Sequence, residues 1–135
     1  MIEEELDSEL FDGEKPTLEL IKAKLTRDSL KNLDHLSAVV KEALRISPSI
    51  YGKVQVPQKD LEVDGFKLKK GTKVFPCSGV SGVSNAIWKE PSKFVPERFD
   101  DTSDWSMTPD GEKRQSQANL TFGAGPRSCM GDVYS

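Results

Sequence analysis

From Pro91 to Thr121 the sequence shows neither the two-residue alternation of a strand nor the 3.6-residue period of a helix. A run of that length without regular structure is uncommon in a compact domain unless it is functional. Within it DDTSDWSMTPDGEKRQSQA, residues 100–118, reads as a solvated loop. The whole chain has 135 residues, about one domain's length, so this run is a large part of it. With 36% hydrophobic and 30% charged residues, eight prolines and ten glycines, the expected core is modest, and the chain is not expected to fold fully alone. A formal charge of −3 excludes the general electrostatic footprint of a nucleic-acid binder. No apolar run approaches the ~20 residues of a membrane span. The acidic start, MIEEELDSEL, lacks the basic flank of a signal peptide.

Regular structure is legible before that run. Ile2, Leu6 and Leu10 repeat at helical spacing, and Asp12-Gly13 and Pro16 break the pattern. Thr17 can cap a second helix carrying Leu18, Ile21 and Leu25 on one face. The strongest helix signal is NLDHLSAVVKEALRISP, with Asn32 as N-cap, Asp34 in the first turn, and Leu33, Leu36, Val40 and Ala43/Leu44 as its apolar stripe. Ser47-Pro48 ends it, because the residue before a proline avoids the α region. Leu61 to Leu68, split at Asp64-Gly65, predicts a hairpin, and Lys73 to Phe75 another strand. Ser84 to Lys89 predicts one or two helical turns.

The chemistry concentrates in FGAGPRSCMG, residues 122–131. Two cysteines, Cys77 and Cys129, are too few for a disulfide framework. A thiolate that ligates iron needs an open sulfur stabilised by backbone N–H groups, which the start of a helix supplies. Gly123 and Gly125 permit positive φ and close approach to a flat ligand, and Gly131 lets the backbone past Cys129 pack tightly. Arg127 offers a forked cation suited to a carboxylate, and Phe122 would shield the sulfur.

This stretch resembles the heme-binding loop of the cytochrome P-450 family, F-x-x-G-x-R-x-C-x-G, with every specified position present. Glu42-Ala43-Leu44-Arg45, followed by Pro48, resembles the family's E-x-x-R helix. Phe94-Val95-Pro96-Glu97-Arg98-Phe99 resembles its F-x-P-E-R-F segment. The resemblance implies a mainly α fold with small β hairpins, an α+β C-terminal portion of the cytochrome P-450 fold. Its parts are a helical lead-in over 1–30, the E-x-x-R helix over 31–47, the hairpin and strand over 60–76, a meander over 91–121 and the cysteine loop over 122–135.

By the same resemblance, Cys129 is the axial ligand of a heme b iron, within a binding loop of Phe122, Gly123, Gly125, Arg127, Cys129 and Gly131. Arg127 pairs with a propionate. Lys53 or Gln55 is a further propionate partner. Glu42, Arg45 and Arg98 form a buried charge network that locks the irregular run beside the heme, a structural role. The implied activity is monooxygenation of a small apolar organic substrate. Electrons would come from NADPH through a reductase or a ferredoxin-type donor, and the parent would be anchored to the endoplasmic-reticulum membrane. The rival readings are a heme-thiolate isomerase or dehydratase needing no reductase, and a non-catalytic piece without stable heme.

The family's oxygen-activating helix with its acid–Thr pair is not found, and the chain reads as an internal-to-C-terminal piece. The helix after Cys129, over 130–135, is too short to nucleate well, so weak heme binding by the isolated piece is expected. His35, the single histidine, reads as a helix-surface residue, and Trp88 and Trp105 as packing anchors. Lys113-Arg114 reads as solvated loop, against the alternative of a basic face for an electron donor.

Overall fold

The computed structural model describes residues 1–134; Ser135, the last residue of the expected cysteine-loop segment, lies outside the described residues. Helix α1, Ile2–Leu6, widens into one π-helical stretch, Asp7–Phe11, and stops where Asp12 and Gly13 both adopt positive φ. Helix α2, Leu18–Lys24, starts at Thr17, whose Oγ1 accepts from the Leu20 amide at 3.2 Å. Leu18 and Leu25, expected on its packed face, are exposed. A four-residue helix absent from the sequence expectations, α3 at Arg27–Leu30, forms because Thr26 and Ser29 close a reciprocal capping box.

Helix α4, Asp34–Ile46, departs from expectation at its start and on its faces. Asn32 does not cap it. The N-cap residue is Leu33, which has no side-chain oxygen to offer, and the cap comes from α1 instead. The two carboxylate oxygens of Glu5 accept from the His35 and Leu36 amides at 2.6 and 2.9 Å. A carboxylate suits this position twice, by satisfying orphan donors and by facing the positive end of the helix dipole. Glu5→Ala is therefore expected to cost about 1 kcal/mol, read as a lower urea midpoint, and to raise hydrogen exchange at the first turn of α4.

The buried face of α4 is not the apolar stripe. Ala38, Glu42 and Arg45, spaced four and three apart, are the buried residues, whereas Val40 and Ala43 are exposed. The helix turns this way because the short 3-10 turn Pro96–Phe99 packs against it and brings Arg98 to Glu42. Of the stripe, Leu33 at its start is buried, while Leu36, Val40 and Leu44 line an open groove of about 730 Å³, shared with Leu30, Phe99, Thr121 and Phe122.

Strands β1, Leu61–Val63, and β2, Phe66–Leu68, pair antiparallel in the register Leu61↔Leu68 and Val63↔Phe66. Asp64 and Gly65 both take positive φ at the turn, which an Asp-Gly pair tolerates better than most pairs. The strand expected at Lys73 to Phe75 is reduced to one bridge, Val74 with Gln55. Ser84 to Lys89 is a hydrogen-bonded turn on the Ser84 carbonyl, and a helical turn, α5, appears earlier at Ser78–Ser81. The remainder is short 3-10 turns and loops.

Candidate functional site

Fully buried charges define the centre. Glu42, Arg45 and Arg98 are at most 1% exposed. Glu42 and Arg45 lie one turn apart on α4, so a fork-to-fork pair forms along the helix: Arg45 Nε and Nη2 donate to the two carboxylate oxygens at 2.7 and 2.8 Å. Arg98 Nε and the Val95 amide donate to Glu42 Oε1 at 3.1 and 2.8 Å. Burial opposes ionisation of Glu42. The Arg45 hydrogen bond, the Val95 amide, and the charges and donors of the two arginines outweigh it and hold the carboxyl below the usual carboxylate range.

One carboxylate cannot occupy all the donors of two guanidiniums. The rest go to backbone carbonyls of the loops. Arg45 donates to Gly82 and Pro91 at 2.5 and 2.9 Å, and to Lys93 at 3.1 Å. Arg98 donates to the Lys89 carbonyl, to Glu90 at 2.9 Å and to Lys93 at 3.3 Å. The two side chains therefore supply the hydrogen bonds that a sheet or helix would otherwise provide between residues 82 and 93. Gly82 has to be small here, since a Cβ would stand 2.6 Å from the Arg45 carbonyl oxygen.

Aromatic rings complete the hub. Trp88, 1% exposed, lies with its ring centroid 5.1 Å from the Arg45 guanidinium and 4.3 Å from that of Arg114, and it tilts against Phe99 at 5.9 Å. Its indole N–H donates to the Ser81 carbonyl at 2.8 Å. Arg98 sits 5.0 Å from the Trp105 ring. Arg114 departs from the solvated reading of its segment, which its neighbours Pro109 to Lys113, all exposed, keep. It donates to the carbonyls of Trp105 and Met107 at 2.6 and 3.1 Å, and to that of Arg98. Burial, and next the nearby Arg98 charge, push its guanidinium below the ordinary arginine range. Ser106 and Ala118, in or next to the supposedly solvated stretch, are buried as well.

The cysteine loop stands beside this hub. Gly123 and Gly125 both have positive φ, so the backbone folds back until the Cys129 amide donates to the Phe122 carbonyl at 2.8 Å. Cys129 is exposed and free, and its Sγ accepts from the Gly131 amide at 3.3 Å. A Cβ on Gly131 would stand 3.4 Å from the same sulfur. These features fit a thiolate ligand for a flat metal macrocycle: an open sulfur, an N–H aimed at it, and no side chain on the residue that supplies it. Phe122 lines the α4 groove, and Cys129 is exposed. The stretch after the cysteine, Met130–Tyr134, is a 3-10 helix.

Lys53 and Gln55 separate. Gln55 is held by backbone pairing with Val74, and Lys53 Nζ donates to the Arg127 carbonyl at 3.3 Å. Among the described residues no cluster of three or more His, Cys, Asp or Glu is arranged for a metal ion. No helix among the described residues is long and apolar enough to cross a membrane.

Sequence reasoning missed Arg114 and the Glu5 cap, whereas Trp88, read as a packing anchor, is one. The available signal was weak: an arginine in the same irregular run as Trp105, where cation–π stacking is a natural use of both.

A thiol-presenting glycine loop braced by a buried carboxylate–guanidinium hub suits a metal-thiolate protein. The family model described as "Cytochrome P450" matches residues 1–133, and the chain belongs to that family. It is 38% identical to "Cytochrome P450 3A28" of Bos taurus over 111 residues, which cover 82% of this chain and 20% of that protein. It is 32% identical over 114 residues to "Probable cytochrome P450 12c1, mitochondrial" of Drosophila melanogaster, covering 81% and 21%. It is 36% identical over 110 residues to "Cytochrome P450 3A7" of Homo sapiens, covering 82% and 20%. The chain thus spans about a fifth of the length of these relatives.

Proposed function

We propose that this chain supplies the thiolate side of a heme-thiolate monooxygenase. The observation that carries the reading is the Cys129 loop: an exposed sulfur, a backbone N–H on it from Gly131, and left-handed glycines at 123 and 125. Cys129 holds the iron. The Gly131 amide lowers the electron density on the sulfur and so tunes how strongly the thiolate donates. Arg127 and Lys53, neighbours at the loop, take the propionates, where both cations are matched to carboxylates. Glu42, Arg45 and Arg98 keep the loops beside the cofactor in place and touch no reacting atom.

When bound, the heme supplies dioxygen activation and insertion of one oxygen atom into an organic substrate. The reading includes an apolar substrate and electrons delivered from NADPH through a reductase or ferredoxin-type donor, and family membership is what supports both. The test is heme reconstitution followed by a reduced carbon monoxide difference spectrum. With heme in large excess, to offset the weak binding expected of this piece, the wild-type chain should give a small red-shifted Soret band of thiolate ligation and Cys129→Ser none. A wild-type spectrum without that band, or one unchanged in Cys129→Ser, overturns the assignment.

A further inference from the structure

We propose that Arg114 is the positioning residue that fixes the cysteine loop to the helical part of the chain. From Arg114 to the loop the backbone is closed by short-range bonds. Ala118 N donates to Gln115 O at 2.9 Å, Asn119 Oδ1 accepts from the Thr121 hydroxyl at 2.5 Å, and Gly123 N donates to Leu120 O at 2.9 Å. Each joins residues two or three apart. They set the local course of the chain. Beyond the loop's turn, Lys53 Nζ reaches the Arg127 carbonyl at 3.3 Å, and Arg114 holds the end that precedes the loop. One guanidinium ties three carbonyls, at Arg98, Trp105 and Met107, and stacks 4.3 Å from the ring centroid of Trp88. The Arg98 carbonyl belongs to the turn packed on α4, and Trp88 also contacts Arg45, so the tie leads directly to the helix.

The hub then holds three guanidiniums around one carboxylate, Glu42. Mutual repulsion works against this arrangement, and Arg98 and Arg45 indeed disfavour the charge on Arg114. The carbonyl dipoles and the ring face offset it. What Arg114 contributes is therefore its planar fork and its stacking surface rather than its net charge, and lysine, with a compact charge and no plane, cannot replace it.

The assignment of Arg114 rests on the heme-thiolate reading only for its consequence at the metal, so the test has two arms. In the chain without heme, hydrogen exchange at the Cys129 and Gly131 amides reads how firmly the loop's own bonds are held closed. Arg114→Ala is expected to accelerate both by about tenfold or more while the α4 amides of Ser37 to Ala43 stay protected. Arg114→Lys should resemble Arg114→Ala. In the heme-loaded chain, both variants should shift the reduced carbon monoxide complex from the thiolate-type band toward the band of a lost or protonated thiolate. Unchanged exchange at Cys129 and Gly131 overturns the proposal, as does full rescue by lysine. Faster exchange with an unaltered thiolate band also overturns it, leaving Arg114 a merely structural tie. Exchange that responds in a wild-type background lacking any thiolate band overturns the heme-thiolate reading and keeps Arg114 as the anchor of the loop.

Discussion

Glu42→Ala is expected to cost about 3–5 kcal/mol, the loss typical when one partner of a buried ion pair is removed. Two guanidiniums at most 1% exposed then lose their common counter-charge, with Arg114 adding a third positive group nearby. The Val95 amide loses its acceptor too. Such a loss is a large share of the about 5–15 kcal/mol that separates a folded domain from its unfolded chain. Urea titration followed by tryptophan fluorescence should show the transition moved to much lower denaturant, or absent. A midpoint within about 1 kcal/mol of wild type would mean that the hub contributes little net stability, as some replaced ion-pair networks do.

The same carboxylate sets a pH dependence whose direction is determined. Its folded-state pKa lies below that of the unfolded chain, so in the pH range between the two values the unfolded chain binds more protons. The stabilisation is complete above the ordinary carboxylate range and is lost as pH falls through the lower, folded value. Asp60 and Asp100 are also held low, by the Lys70 amide together with Lys69 and by Thr102 respectively, and they titrate in the same sense. The decisive comparison is the acid slope of the urea midpoint in wild type and in Glu42→Gln. The variant should be less stable at neutral pH and flatter in acid. Equal slopes would assign the acid sensitivity to other carboxyls.

Trp88→Ala should have the second largest effect, about 3–5 kcal/mol. The indole is 1% exposed, touches Phe99, lies near two guanidiniums and closes a hydrogen bond to Ser81. Its removal opens a hole and strands the cations that stack on it. Trp88→Phe keeps a ring face and loses the N–H, so it should cost less, about 1–2 kcal/mol for the unpaired Ser81 carbonyl and the smaller volume. Thermal or urea unfolding ranks the two. If both variants lose the same amount, the hydrogen bond, and not the aromatic surface, is what matters at this position.

Some of this architecture is legible residue by residue because its causes are local. Thr17 caps the helix that follows it because a hydroxyl three residues from an orphan amide can reach it whatever the rest of the chain does. Asp64-Gly65 makes the hairpin turn because both residues tolerate positive φ. Gly123 and Gly125 bend the cysteine loop for the same reason, and Glu42 meets Arg45 because one helical turn separates them.

The faces of α4 were not legible in this way. Periodicity marks Leu33, Leu36, Val40 and Leu44 as the side to bury, yet only Leu33 of them is buried, with Ala38, Glu42 and Arg45, and Leu36, Val40 and Leu44 border a groove. Asn32 looked like the cap, and Glu5 took the position from another helix. Arg114, in a run with no period at all, turned inward. In each case the deciding partner is distant in sequence: Arg98 for Glu42, Glu5 for His35, Trp88 for Arg114. Short-range sterics and hydrogen bonds are written into neighbouring residues, so the chain alone determined its turns, its local caps and its thiol-bearing loop. Desolvation of a charge depends on everything that surrounds it, so only the tertiary structure decided which side of the helix, and which arginine of the irregular run, would be taken out of water.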